Sequence, residues 1–306
     1  QYGRLIDIGR GVLDEKVPRS GKDKFMRSAL RSTLPKPKVV APMMKLGQLA
    51  RPLLPDALKA KVPAKQAIGS IPATQHARTM LALGGCVQKS ATPATNAAAT
   101  RVLDKLGITL KEVPEAGCCG AVNYHLAAHE EGLSQMKRNI DAWWSHIEAG
   151  AEAIVISASG CGAMVKEYGH LLRGDPVYAE KAAKVSELSK DISEVLINED
   201  LSKLNIETGK KTAVHCPCTL QHALKLGGVV ETILTRAGFE LAKTTDNHLC
   251  CGSAGTYSIL QPEISQQLLD RKLDALTGDQ PEQIVTANIG CQLHLGSKSQ
   301  VPVRHW

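Results

Sequence analysis

Apolar and polar positions along the chain change their period several times, and each change predicts an element. In residues 1–66, Leu5, Ile6, Ile8, Val12 and Leu13 fall close to a helical stripe. Pro35, Pro37 and Pro42 predict a break, after which Met43, Met44, Leu46, Leu49, Leu53 and Leu54 form a second stretch ending near Pro63. Such stripes are expected to serve ordinary helix packing. From residue 76 short apolar runs alternate with helical patterns. Arg78–Leu83 reads as a buried strand, Asn96–Leu106 as a helix closed by Gly107, and Ile108–Val113 as a strand. A long helix is predicted from about Leu126 to Glu148, then a strand at Ala153–Ile156. The order returns with a strand at 212–214, a helix at 223–237, a strand at 239–244, a helix at 264–276 and a strand at 284–286. Strands alternating with helices predict an α/β fold with largely parallel sheets.

Cysteine sharpens this picture. Each predicted strand of the alternating region leads into a turn carrying cysteine: Cys86, Cys118-Cys119-Gly120, Cys161, then Cys218, Cys250-Cys251-Gly252 and Cys291. Cys86 to Cys218, Cys118 to Cys250 and Cys119 to Cys251 are each 132 residues, and Cys161 to Cys291 is 130. In both copies 31 residues separate the first cysteine from the adjacent pair. Eight of nine cysteines in register mark a duplicated domain, two tandem pseudo-symmetric modules rather than a solenoid. The expected division is a helical connector or docking arm over 1–70, a first module over 71–205 and a second over 206–306.

Charge follows the same division. Residues 1–66 hold 15 Lys/Arg against 5 Asp/Glu, and the remaining 240 hold 22 against 25. The basic excess of the whole chain therefore belongs to the arm, where it suits a partner subunit, an anionic surface or plain solvation. Without interleaved aromatics it does not predict nucleic-acid stacking. Aromatics are 3% of the chain, so aliphatic residues must fill the cores. No apolar run reaches membrane-spanning length and the chain opens without a signal-peptide pattern or Met, so it reads as a cytoplasmic fragment trimmed at its start. Adjacent cysteines would make a strained disulfide, which favours metal or redox chemistry.

The carboxyl ends of parallel strands line up along one edge, so the three cysteine turns of each module should converge there. Four converging thiolates suit zinc or an iron–sulfur cluster. The chain lacks paired Cys-x-x-Cys zinc knuckles, and the spacing favours an iron–sulfur cluster over zinc or a metal-free thiol pair. Gly84-Gly85-Cys86 does not continue as a dinucleotide motif, which places any flavin in another chain.

Two copies of Cys–x31–Cys-Cys-Gly followed by a further cysteine resemble the CCG cysteine-rich domain of heterodisulfide reductase subunits, lactate-utilisation proteins and glycerol-3-phosphate and glycolate dehydrogenases. The stretches 116–122, 139–144, 158–163, 215–222 and 286–291 are most similar to those of glycolate oxidase iron–sulfur subunits. This resemblance implies an electron-transfer subunit of an oxidoreductase, with no catalytic residue of its own. FAD would sit on flavin-binding partner subunits that oxidise glycolate, and electrons would move on toward a quinone-type acceptor. It also implies an N-terminal ferredoxin-like module with two [4Fe-4S] clusters, which this chain does not contain, and peripheral contact with the inner face of the membrane at most.

The family pattern closes with Cys-x-x-Cys, but Met164 and His294 stand at the two final positions. The expected ligands are Cys86, Cys118, Cys119 and Cys161 in the first module, and Cys218, Cys250, Cys251 and Cys291 in the second, with His294 as a nitrogen ligand. Cys216, without counterpart in the first repeat, is a candidate spare ligand or a packed thiol. The second module is the favoured site for a [4Fe-4S] or non-cubane cluster. His215 and His222 are read mainly as turn and helix contacts that could tune it. His125, His129, Trp143 and Trp144 are read as packing. A scaffold docking the flavoprotein to the ferredoxin module is the alternative function.

Overall fold

The computed structural model describes residues 2–306. Seven short strands form two sheets. The first holds β1 (Arg78–Ala82), β2 (Ile108–Glu112), β3 (Ile154–Ile156) and β4 (Ser189–Asp191) in the order β2-β1-β3-β4, and the second holds β5 (Thr212–His215), β6 (Gln283–Thr286) and β7 (Val303–His305) in the order β5-β6-β7. Every pairing is parallel. The α/β class and the two repeated modules read from the cysteine register are present, preceded by a helical arm.

Side chains alternate across each strand, and the two cores of each module follow that period. Leu81, Ile154 and Ile156 face one core with Cys119, Met136, Trp143 and Tyr168. Met80, Ala82 and Val155 face the other with Leu103 and Ile108. In the second module Ala213 and Ile284 pack with Cys251 and Cys291, while Val214 and Val285 pack with Cys216, Leu220 and Val230. The expected helices appear at Ala94–Lys105, His129–Glu148 and Pro262–Thr277. Trp143 is fully buried, and its Nε1 has no partner. Trp143→Ala should therefore cost about 3–5 kcal/mol, whereas Trp143→Phe, which leaves most of the volume and no stranded donor, should cost about 1–2 kcal/mol in urea unfolding. Trp144, the outer neighbour, bonds Glu148 at 2.8 Å and lies under the Lys181 ammonium.

Some elements differ from the sequence expectation. Residues 239–244 make a single parallel bridge, Leu241 to Thr212, at the outer edge of β5. Their next backbone donors turn away, Lys243 N to Asp279 Oδ2 and Thr245 N to Ala275 O, so no ladder extends. The predicted helix at 223–237 is split into a wide turn at Thr219–Ala223 and a helix at Val229–Arg236, with Lys225 at φ 60° and Gly228 at φ 82° between them. The long helix starts at His129 rather than Leu126, after a short helix Ala121–His125. β4 and β7, three residues each, carry too little pattern to be read from sequence.

The arm forms helices at Tyr2–Lys16, Gly21–Thr33 and Pro37–Ala50. Pro42 lies inside the third helix instead of breaking it; the chain breaks at 34–36, and Pro37 opens the new helix where its missing N–H costs nothing. The arm is tied to the first module by Arg4 Nε to Glu167 at 2.9 Å and by Asp7 Oδ1 to His125 Nδ1 at 2.7 Å. Leu30 and Val40 are buried, but Leu5, Ile8, Leu13, Phe25, Met43, Leu46, Leu49 and Leu53 are exposed, the last at 89%. The apolar stripes therefore point outward, against the expectation of ordinary helix packing. No described helix is long and apolar enough to cross a membrane.

Between the modules the strand ends meet. Ser159 N donates to Ala287 O at 2.9 Å, the Ser159 and Thr219 hydroxyls lie 2.8 Å apart, and His305 Nε2 bonds Ser157 O at 2.7 Å. Burial pushes the His305 pKa down to about 4. A folded-state value below the ordinary 6.5 means that the folded protein binds this proton less well than the unfolded chain. His305 therefore contributes fully above pH 6.5, and its contribution falls as pH drops from 6.5 toward 4. Between pH 7 and 5, His305→Gln should lose about 1–2 kcal/mol less stability than the wild type in parallel urea titrations.

Candidate metal–sulfur centres

Each module sets its four thiols close enough to perturb one another's ionisation: Cys118 with Cys86 and Cys119, and Cys119 with Cys161, in the first, and Cys250 with Cys218 and Cys251, and Cys251 with Cys291, in the second. All nine cysteines are free thiols, so no disulfide removes a donor. Cys86 and Cys218 end the loops after β1 and β5. Cys161 and Cys291 sit in the first turns of helices Ser159–Lys166 and Ile289–Gly296.

The adjacent pairs are shaped by the glycine that follows. Gly120 has φ 91° and Gly252 φ 87°, conformations natural to glycine, and a Cβ there would meet the carbonyl oxygens of Gly132 and Ser265 at 2.9 and 2.3 Å. This turn aims Gly252 N–H at Cys250 Sγ, 3.3 Å away. The thiol hydrogen bonds from Cys218 and Cys251, followed by that N–H and His215, drive Cys250 down to about 2. Thiol hydrogen bonds from Cys119 and Cys86, then Gly120 N–H and the Arg138 charge, take Cys118 down to about 4. The flanking thiols move the other way: Cys86, Cys119, Cys218 and Cys251 are raised by their thiolate neighbours and by burial. In each module the middle thiol, Cys118 or Cys250, is thus the one shifted toward the thiolate.

The surroundings differ between modules. In the first, Asn139 Nδ2 donates to Cys118 O at 2.9 Å and Tyr168 OH to Cys119 O at 2.8 Å, fixing the backbone of the pair. In the second, Lys272, buried at 1% exposure, donates to Asp246 O and Asn247 O. Cys218 is exposed and Cys250 partly so, whereas Cys86 and Cys118 are buried. Asn288 Nδ2 reaches Cys291 Sγ at 3.6 Å while its side chain lies against Gly160 beside Cys161. The two thiol sites therefore share the seam between the modules.

Three residues stand apart from the sequence expectation. Cys216 lies in the opposite core with Val214, Leu220 and Val230, where burial pushes its thiol up to about 12; one residue away from His215 along the strand end, it faces the other side. His294 turns its Nε2 to Ser265 Oγ at 3.0 Å. The histidine that meets the thiols is His215: one of its ring nitrogens and the Sγ atoms of Cys251 and Cys291 all lie within 4.8 Å of one another. Met164, at the matching position of the first module, is packed in the core. His222 is exposed. Lys272 was missed because a lysine on a helical stripe reads as solvated.

Four thiols gathered at the carboxyl edge of a parallel sheet, with Cys218 exposed and Cys161 and Cys250 half-buried, define a soft-metal donor set, and the fold carries that set twice. The cysteine-rich CCG domain matches this chain over residues 81–166 and 212–296. The chain is 52% identical to the glycolate oxidase iron–sulfur subunit of Escherichia coli (strain K12) over 307 residues, covering 100% of this chain and 75% of that protein. It is 30% identical to the probable glycolate oxidase iron–sulfur subunit of Bacillus subtilis (strain 168), covering 89% of this chain and 61% of the relative. Lactate utilization protein A of Bacillus velezensis is 30% identical over 66% of this chain and 83% of its own length. The chain belongs to the CCG cysteine-rich family and, within it, to the glycolate oxidase iron–sulfur subunits.

Proposed function

We propose that this chain is the electron-relaying iron–sulfur part of a glycolate-oxidising complex, receiving electrons from a flavin-bearing partner and passing them toward a quinone-type acceptor. The carrying observation is the second module's thiol group, in which Cys251 and Cys291 bring their sulfurs within 4.8 Å of each other and of a His215 ring nitrogen, with Cys250 next in sequence and Cys218 open to solvent. Cys218, Cys250, Cys251 and Cys291 would hold a cluster there, and Cys86, Cys118, Cys119 and Cys161 offer a second set. When bound, such a cluster takes up and returns single electrons. The protein's part is to hold the thiols together and lower their donor strength through Gly252 N–H and Asn288 Nδ2. The relatives' names speak of glycolate or lactate, and the flavin-bearing partner would choose between them. The expected place is the cytoplasm, with the arm's exposed leucines and basic charge facing the flavoprotein, the ferredoxin-like module of the longer protein or the membrane surface.

Iron, acid-labile sulfide and EPR spectra of anaerobically purified protein test this reading. About four irons and four sulfides per chain would match one cluster. Iron-free protein with nine titratable thiols would sink the relay and leave the docking scaffold, which the exposed apolar stripes of the arm favour.

A further inference from the structure

Comparison of the two modules position by position isolates a set of polar residues present in only one of them. His215 precedes Cys218 by the same three residues by which Leu83 precedes Cys86, and Thr286 precedes Cys291 by the same five by which Ile156 precedes Cys161. Leu83 and Ile156 are buried in the core that contains Cys119. His215 and Thr286 occupy the same strand ends and are also buried, at 2% and 1% exposure. The module that closes its thiol site with two aliphatic side chains is thus paired with one that closes it with an imidazole and a hydroxyl.

The imidazole is oriented. Its Nδ1 is 2.8 Å from Thr286 Oγ1, a partner that holds the ring in place. Metal-bound histidines characteristically have their second ring nitrogen fixed in this way. A His215 ring nitrogen lies within 4.8 Å of the sulfurs of Cys251 and Cys291, while His294 has its Nε2 engaged by Ser265. Lys272 adds to the asymmetry. It lies 133 residues after Asn139, the spacing that also relates the fully buried Met136 to Leu269 and Trp143 to Leu276, so a buried cation stands where the first module has a neutral amide. A residue kept only for packing has no need of a polar partner at both the strand end and the neighbouring strand.

We propose that His215 is a nitrogen ligand of the metal group held by the second module, donating its Nε2 lone pair beside Cys251 and Cys291, with the ring proton on Nδ1 directed to Thr286. The second site is then a mixed nitrogen–sulfur centre and the first an all-thiolate one. The inference rests on the cluster reading above. The imidazole would join the four thiolates as an added neutral donor, so the two modules would be unequal in donor set.

The test uses anaerobically purified protein labelled with 15N-histidine and pulsed EPR of the paramagnetic cluster. A nitrogen coupling of direct-ligand strength, altered by the isotope, lost in H215L and kept in H294Q, is expected. H215L copies the residue the first module uses, so the fold should survive, and urea unfolding checks this. Absence of the coupling in the wild type, or its persistence in H215L, overturns the proposal. A second measurement stands free of cluster assembly: apo protein titrated with Co2+. H215L should weaken Co2+ binding by more than the about 10–100-fold that losing an outer-shell partner costs. Equal Co2+ affinity in wild type and H215L also overturns it. Iron-free protein with the histidine-dependent Co2+ site intact would defeat the cluster reading alone.

Discussion

Alanine at Cys250 should empty the second module of iron while the chain stays folded. Cys250 is the thiol of its module shifted toward the thiolate, with Cys218 and Cys251 as its neighbours. Its removal deletes that donor, and it leaves Gly252 N–H, now 3.3 Å from sulfur, without an acceptor. The side chain is only partly buried, so the packing loss is small beside the loss of the donor. The expected result is a fall of about four irons and four sulfides per chain, with unfolding changed by no more than about 1–2 kcal/mol. Cys216→Ala is the matched control: its thiol is packed on the opposite face, so stability should drop about 1–2 kcal/mol with iron unchanged. Cys118→Ala separates the modules. If it removes the iron and Cys250→Ala does not, the cluster belongs to the first site.

That these residues could be named from sequence follows from the repeat. Cysteine is rare and its register is integral, so Cys86/Cys218 and Cys118/Cys250 declare equivalent places without any knowledge of the fold. The period-2 and period-3.6 patterns then supplied β1, β3, β5, β6 and the helix His129–Glu148. Elements set by distant partners were not legible. β4 and β7 are three residues long, and their pairing with β3 and β6 is decided by neighbours in space. The stretch 239–244 has strand composition, but Asp279 and Ala275 take the backbone bonds that a ladder would need.

The site shows the same division. Thiols were read from spacing, and His215 mainly as a turn contact that could tune them; Thr286 and Lys272 were not singled out, because their surroundings depend on which face of a strand or helix they occupy. His294 held the right sequence offset from Cys291, yet its ring is turned by Ser265. His215 held an offset that carries no motif meaning and is aimed at the thiols by Thr286, 71 residues away in sequence. In the arm the spacing gave helices correctly but not which way the apolar stripe faces, since no sequence period distinguishes a stripe covered by its own chain from one left open.

Gly252→Ala should be the most destabilising single-methyl change in the protein. Two costs combine there. The backbone at φ 87° asks an L residue to enter the left-handed region, about 1–2 kcal/mol. The added Cβ would also stand 2.3 Å from Ser265 O, a helix carbonyl that cannot swing aside as a side-chain end can. Displacing that turn of Pro262–Thr277 breaks the Ser265 Oγ bond to Gly252 O and brings the total to about 3–5 kcal/mol. Gly120→Ala pays the same conformational cost, but its nearest backbone oxygen is 2.9 Å away and its other neighbours are the flexible Met136 side chain, so about 2–3 kcal/mol is expected. Gly150→Ala, at φ 93° with nothing within 4 Å, isolates the conformational part at about 1–2 kcal/mol. Urea unfolding should rank them Gly252, Gly120, Gly150. Equal losses for all three would mean that the close approach of the pair's turn to its helix carries no energy, and that the adjacent cysteines are not held in place by it. If the ranking holds, partly destabilised Gly252→Ala should also lose iron from the second module while every thiol remains, because the N–H that faces Cys250 has moved with the turn.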